Sequence, residues 1–149
     1  MNDENTANMN EILAALAAAS GVDALAPEAD GRVNFALDDM GVAIGTTDAD
    51  DATGDRAWVA IFVGEVPSDA ETLAYLLEQN YLGGGSGDGA FSIEHEMGAV
   101  VLHRVFPLPM AAETFVEAFR HLAGAARAAR TRLTAVRFDD PFPQHLVPV

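Results

Sequence analysis

Cysteine is absent from the 149 residues, which excludes disulfides and thiolate metal sites outright. Lysine is absent too, and all eight basic side chains are arginine. A Walker-type phosphate loop ends in glycine, lysine and a hydroxyl residue, because the lysine neutralises the phosphates. The stretch Gly83-Gly84-Gly85-Ser86-Gly87-Asp88-Gly89 therefore is not one. It is not a dinucleotide fingerprint either, since that needs a strand before the glycines and a helix after them, and here the order is reversed. No apolar run approaches the roughly 18 to 20 residues of a membrane span. The nearest candidate, residues 12–19, is mostly alanine and follows Asp3, Glu4 and Glu11, where an export signal carries basic residues. The expectation is a cytoplasmic chain with no signal and no anchor.

Basic residues are also scarce: 8 against 23 acidic ones, a net charge of −15. The imbalance lies almost wholly in residues 1–99, which carry 19 acidic residues and only Arg32 and Arg56, whereas residues 100–149 are net +2. A field of that sign repels nucleic acid and anionic lipid and suits a neutral or basic polypeptide partner. The plain alternative is that acidity serves solubility. Half of the residues are apolar and 21% are charged, a globular balance sufficient for one domain with a core.

Each motif with catalytic or metal-binding chemistry fails at a named position. An EF-hand loop beginning at Asp48 would put Ala52, Thr53 and Val59 where it needs an oxygen ligand, glycine and glutamate. The aspartates of residues 46–55 are read as a solvated loop, with weak calcium binding as the alternative. His95-Glu96 begins like a zinc-protease helix, but Ala99 stands at the second histidine. His95, His103, His121 and His145 show no metal-ligand spacing. Ser86 has glycines on both sides but no strand-to-helix elbow. The reading is a non-enzymatic chain with no catalytic residue, metal or cofactor.

Residues 1–9 read as a disordered N-terminus and residues 136–149, with Pro141, Pro143 and Pro148, as an extended tail. Between them, residues 10–135 form one domain. A first helix over residues 10–20 carries Ile12, Leu13 and Leu16 on one face and stops at Gly21. Val33, Phe35 and Leu37 alternate as a half-buried strand, turning at Asp39-Met40-Gly41 into a second. Residues 58–66 are nearly all apolar, a strand buried on both faces. Ser68 or Asp69 caps a helix with Leu73, Leu76, Leu77 and Tyr81 on its apolar side. A second hairpin turns at Glu96-Met97-Gly98. A last helix between residues 110 and 133 places Phe115, Phe119, Leu122, Ala126 and Leu133 on one face, with Arg127, Arg130 and Arg132 near its end. The order α-β-β-β-α-β-β-α, without alternating βα units, predicts an α+β fold: an antiparallel sheet of about five strands with helices on one side. The apolar surplus suits dimerisation or peptide binding.

The wording of the second half adds a family. Leu76-Leu77-Glu78-Gln79-Asn80, the glycine-rich turn, Gly89-Ala90-Phe91-Ser92-Ile93, Val100-Val101-Leu102-His103-Arg104-Val105-Phe106-Pro107-Leu108 and the helix of Phe115 and Phe119 resemble the class I type III secretion chaperones, the Tir-chaperone-like family. The resemblance implies a homodimer that holds the N-terminal segment of a secreted effector in extended form, partly by strand addition at a sheet edge. It implies that Ile12, Leu13, Leu16, Val33 and Phe35 line an effector-binding patch, and that Leu73, Leu76, Leu77, Val101 and His103 make the dimer contact. A YbjN-like regulatory domain of the same fold, with no secretion role, is the alternative. The acidic loop at residues 46–55 and the proline-containing tail depart from the family pattern.

Overall fold

In a computed structural model of the chain, residues 3–22, 25–29, 31–47 and 55–136 are described. Residues 48–54 of the acidic loop and residues 137–149 of the tail lie outside them. The elements are α1 (Asp3–Ser20), β1 (Val33–Leu37), β2 (Met40–Thr47), β3 (Arg56–Glu65), α2 (Ala70–Gln79), a 3-10 turn (Tyr81–Gly83), β4 (Ala90–Glu94), β5 (Ala99–Pro107) and α3 (Ala112–Arg130). The five strands form one sheet in the order β1-β2-β3-β5-β4, with every neighbouring pair antiparallel. The predicted α+β fold and element order are the observed ones.

Helix α1 begins at Asp3, seven residues ahead of the expected start. Its polar first turns look disordered in isolation, but they are anchored from far along the chain. The Asn8 side chain donates to the Met110 carbonyl (2.7 Å) and accepts from the Met110 N–H (3.0 Å). Asn5 donates to the Asp55 carboxylate at 2.7 Å. The β1–β2 turn also differs from expectation. Leu37 pairs with Met40, so the turn is Asp38-Asp39 and Met40 is a buried strand residue. Asp38 takes a φ of 55°, a left-handed conformation that a short polar side chain tolerates better than methionine would.

β3 is buried from Ala57 through Gly64, as its continuous apolar run predicts. Asp69 caps α2, accepting from the Thr72 N–H (2.8 Å) and hydroxyl (2.6 Å), and those bonds hold its carboxyl below the usual range. α2 ends at Gln79, so Tyr81 lies in the 3-10 turn and not on the helix. The glycine loop that follows is a packing device. At Gly87 φ is +61°, and an added Cβ would stand 2.7 Å from the Leu122 Cα. Only glycine lets this loop lie against α3.

The main core lies between one sheet face and all three helices. It joins Ile12 and Leu16 of α1, Leu76 of α2 and the α3 stripe of Phe115, Phe119 and Leu122 to inward-facing strand residues such as Val59, Ile61 and Leu102. Burial of this kind stabilises by about 25 cal/mol per Å² of apolar area. A separate, smaller cluster occupies the opposite sheet face.

Candidate protein-binding surfaces

Two surfaces on the helical side, a mixed groove and an apolar pocket, are candidates to receive a polypeptide. The first is a groove of about 600 Å³ between α1, β1 and α3. Leu16, Phe35, Val116, Phe119 and Ala123 supply apolar walls, with the rings of Phe35 and Phe119 packed at 6.0 Å. Its rim is charged. Arg127 Nε donates to Asp38 at 2.9 Å, and Arg120 pairs with Glu117 at 2.7 Å. One turn further along α3, Arg130 forks onto Asp39 (Nη2 to Oδ2, 2.7 Å), which holds that carboxyl below its ordinary range. The two arginine–aspartate pairs fasten the β1–β2 turn to the end of α3.

β1 is an edge strand, with β2 on one side and no strand on the other among the described residues. The opposite edge, β4, is closed at Phe91. There the Asn80 side chain accepts from the Phe91 N–H at 2.7 Å and donates to its carbonyl at 3.1 Å. An unpaired strand edge is a template for another strand, and here the unclosed edge borders the groove.

The second surface lies where α2 meets β4. Leu73, Leu76, Leu77, Phe91, Ile93 and Val100 line an almost wholly apolar pocket of about 210 Å³. Leu77 is 70% exposed and Ile93 is 55% exposed, with Tyr81 (76%) and Leu82 (87%) in the turn that follows α2. Clustered exposure of this kind marks an interaction site, whereas a scattered leucine does not.

The structure divides the residues expected to form each patch. Leu16 and Phe35 do meet in the groove. Ile12 and Val33 are buried in the core beneath it, because the apolar stripe of α1 is the side that packs on the sheet. Leu13 is also buried, at the base of a shallower depression with Ala14, Ala17 and Leu25. Val116 and Phe119 were not among the expected groove residues. Their signal is in the sequence, but the α3 periodicity reads equally as core. Leu73, Leu76 and Leu77 come together on the second surface. Val101 and His103 do not join them: they alternate with Val100 and Leu102, and Val101 belongs to the cluster on the opposite sheet face. Burial holds the His103 imidazole below its ordinary value, so it is neutral at neutral pH. Ile93, the i+2 neighbour of Phe91 on β4, lines that second surface with Leu73, Leu76 and Leu77.

Among the described residues no group of three or more His, Asp or Glu is placed to hold a metal ion, and no helix is long and apolar enough to cross a membrane. Several solved structures share the fold. The chain is similar to the ExsC–ExsE complex structure (TM-score 0.67, 17% identity, 92% of this chain and 100% of that one). It is similar to the HopA1–SchA chaperone–effector complex (0.60, 14%, 85% and 97%). It is also similar to the heterodimeric ExoU–SpcU complex from the type III secretion system of Pseudomonas aeruginosa (0.58, 17%, 84% and 96%). At these identities the likeness establishes the fold. No curated protein sequence matches the chain. The family model of the Tir chaperone protein (CesT) family matches residues 11–130, and this chain belongs to that family.

Proposed function

We propose that the chain is a non-enzymatic cytoplasmic chaperone that binds the N-terminal segment of a type III secretion effector in extended form and keeps it ready for secretion. The observation that supports this most is the groove, with apolar walls and a charged rim, beside the β1 sheet edge. A segment laid along β1 would gain backbone hydrogen bonds from the strand and set alternate side chains against Phe35 and Phe119. The other edge is taken by Asn80, which directs strand addition to the groove. Family membership supports the same reading, as do solved structures of this fold that are complexes, one of them between a chaperone and an effector. The second surface fits a second copy of the chain: its lining is nearly all apolar, as the centre of a homodimer contact is. Binding of this kind consumes no nucleotide and needs no metal or cofactor.

The test is co-expression with the protein encoded beside this chain's gene. The expected result is that the neighbour's N-terminal segment co-purifies and resists protease only in the complex. A segment that neither co-purifies nor gains protection would overturn the proposal.

A further inference from the structure

The groove between α1, β1 and α3 inverts the charge of the chain around it. The sequence carries 23 acidic residues against eight arginines. Among the described residues, the charged side chains that line the groove are Arg120, Arg127 and Asp38. Two of the eight arginines therefore stand on one groove with a single carboxylate, the opposite of the balance in the chain. Both lie on the α3 wall, which also carries Val116, Phe119 and Ala123. They are seven residues apart, so they share one face of the helix about 10 Å apart along its axis.

The two arginines are not equivalent. Arg127 Nε donates to Asp38 at 2.9 Å, and both members of that pair line the groove. Its work is to hold the β1–β2 turn. Arg120 pairs instead with Glu117, one turn back on the same helix at 2.7 Å, and Glu117 does not line the groove. The two side chains are 60% and 73% exposed, and an exposed helix pair of this spacing is weak. Among the described residues the bond runs from Nη1 alone, which leaves Nε and Nη2 of the guanidinium to donate elsewhere. Arg120 also follows directly on Phe119, whose ring packs against Phe35 in the groove at 6.0 Å.

An extended segment laid along β1 turns every second side chain toward the helices. One such position meets the Phe35–Phe119 wall, and another on the same side faces the α3 wall that carries Arg120. We propose that Arg120 selects the segment by its charge, receiving the carboxylate of an aspartate or glutamate set among apolar residues. This rests on the groove being the seat of the segment. A carboxylate presents two oxygens in the plane that the guanidinium fork matches. The apolar walls beside Arg120 exclude water once the segment lies on them, so the new pair forms in a lower dielectric than the exposed pair with Glu117. A segment with lysine or arginine at that position would set like charges together and be rejected. The net charge of −15 pulls the other way, toward basic partners. That field is screened beyond about 8 Å at physiological ionic strength, so contact with the guanidinium decides at this position.

A displayed library of short random peptides, selected on the full chain at physiological salt, supplies the probe. Groove binders are those whose binding is lost on Phe35→Ala or on Val22→Ser, with each variant shown to be folded by circular dichroism. These peptides should be enriched in aspartate or glutamate over the unselected library. Changing that acid to its amide should weaken binding to the unaltered chain about tenfold and leave binding to Arg120→Gln nearly unchanged, because the two changes remove the same contact. Groove binders without acidic enrichment overturn the proposal and leave the groove as the seat of the segment. So does an amide substitution that costs as much on Arg120→Gln as on the unaltered chain. If no selected peptide depends on Phe35 or Val22, the groove is not the seat, and the proposal falls with it.

Discussion

Asn80 is one side chain with two partners on one residue, and its amide closes the β4 edge that would otherwise compete with β1. Asn80→Ala leaves the Phe91 N–H and carbonyl without that clamp and should cost about 1–3 kcal/mol in urea denaturation. Asn80→Asp keeps the acceptor but not the donor and should fall between the two. His103 predicts a pH effect with a definite sign. Burial lowers its affinity for a proton in the folded chain below the ordinary value of 6.5, so the unfolded chain takes up the proton first. Stability from this residue is whole above that value and is lost as pH falls through it. In urea denaturation at stepped pH, His103→Gln should lose less stability than the unaltered chain between neutral and mildly acid pH. Equal losses would show that His103 is not the source. At this scale the sequence was partly legible. Leu16 and Phe35 line the groove while Ile12 and Val33 lie buried beneath it, a division that the apolar spacing of the patch residues does not make. Strand alternation, applied strictly, separates Val101 and His103 from Val100 and Leu102 and sets them on the sheet face opposite the α2–β4 pocket.

Between elements, the two arginine–aspartate pairs hold the β1–β2 turn against the end of α3, and Asp38 and Arg127 also line the groove. Arg130 also donates to the Leu133 carbonyl just past the end of α3. Arg130→Gln should lower stability by about 1 kcal/mol. The gap from the unaltered chain should narrow as salt rises, because the ion pair is partly exposed and screened. A difference independent of salt would mean that packing, not charge, is what the arginine supplies. The elements themselves were legible wherever local pattern and tertiary demand agree: the buried run of β3, the Asp69 cap and the long α3 stripe. They were illegible where long-range bonds override local character. The first turns of α1 are polar and read as disordered, and their order comes from Met110 and Asp55. The Asp38-Asp39 turn was displaced by one residue because Met40 is worth more to the core than to a turn.

For the whole molecule, the net charge of −15 repels nucleic acid and anionic lipid, and the proposed contacts lie on the groove and on the α2–β4 pocket. Leu77 is exposed at the centre of the α2–β4 patch, so Leu77→Asp should leave the fold intact and give a monomer by light scattering. Unchanged mass would put the copy-to-copy contact elsewhere. The element order and acidity that led to the family are whole-chain features, and for that reason the family was legible when the individual contacts were not. The groove claim is tested most directly by the affinity for the neighbouring effector's N-terminal segment, measured by calorimetry on the unaltered chain and on Phe35→Asp and Val22→Asp. Both positions line the groove, and folding of each variant is checked by circular dichroism. The account predicts tight binding by the unaltered chain and a loss of about tenfold or more, near 1.4 kcal/mol, in each folded variant. Binding that is undiminished in both variants would contradict it.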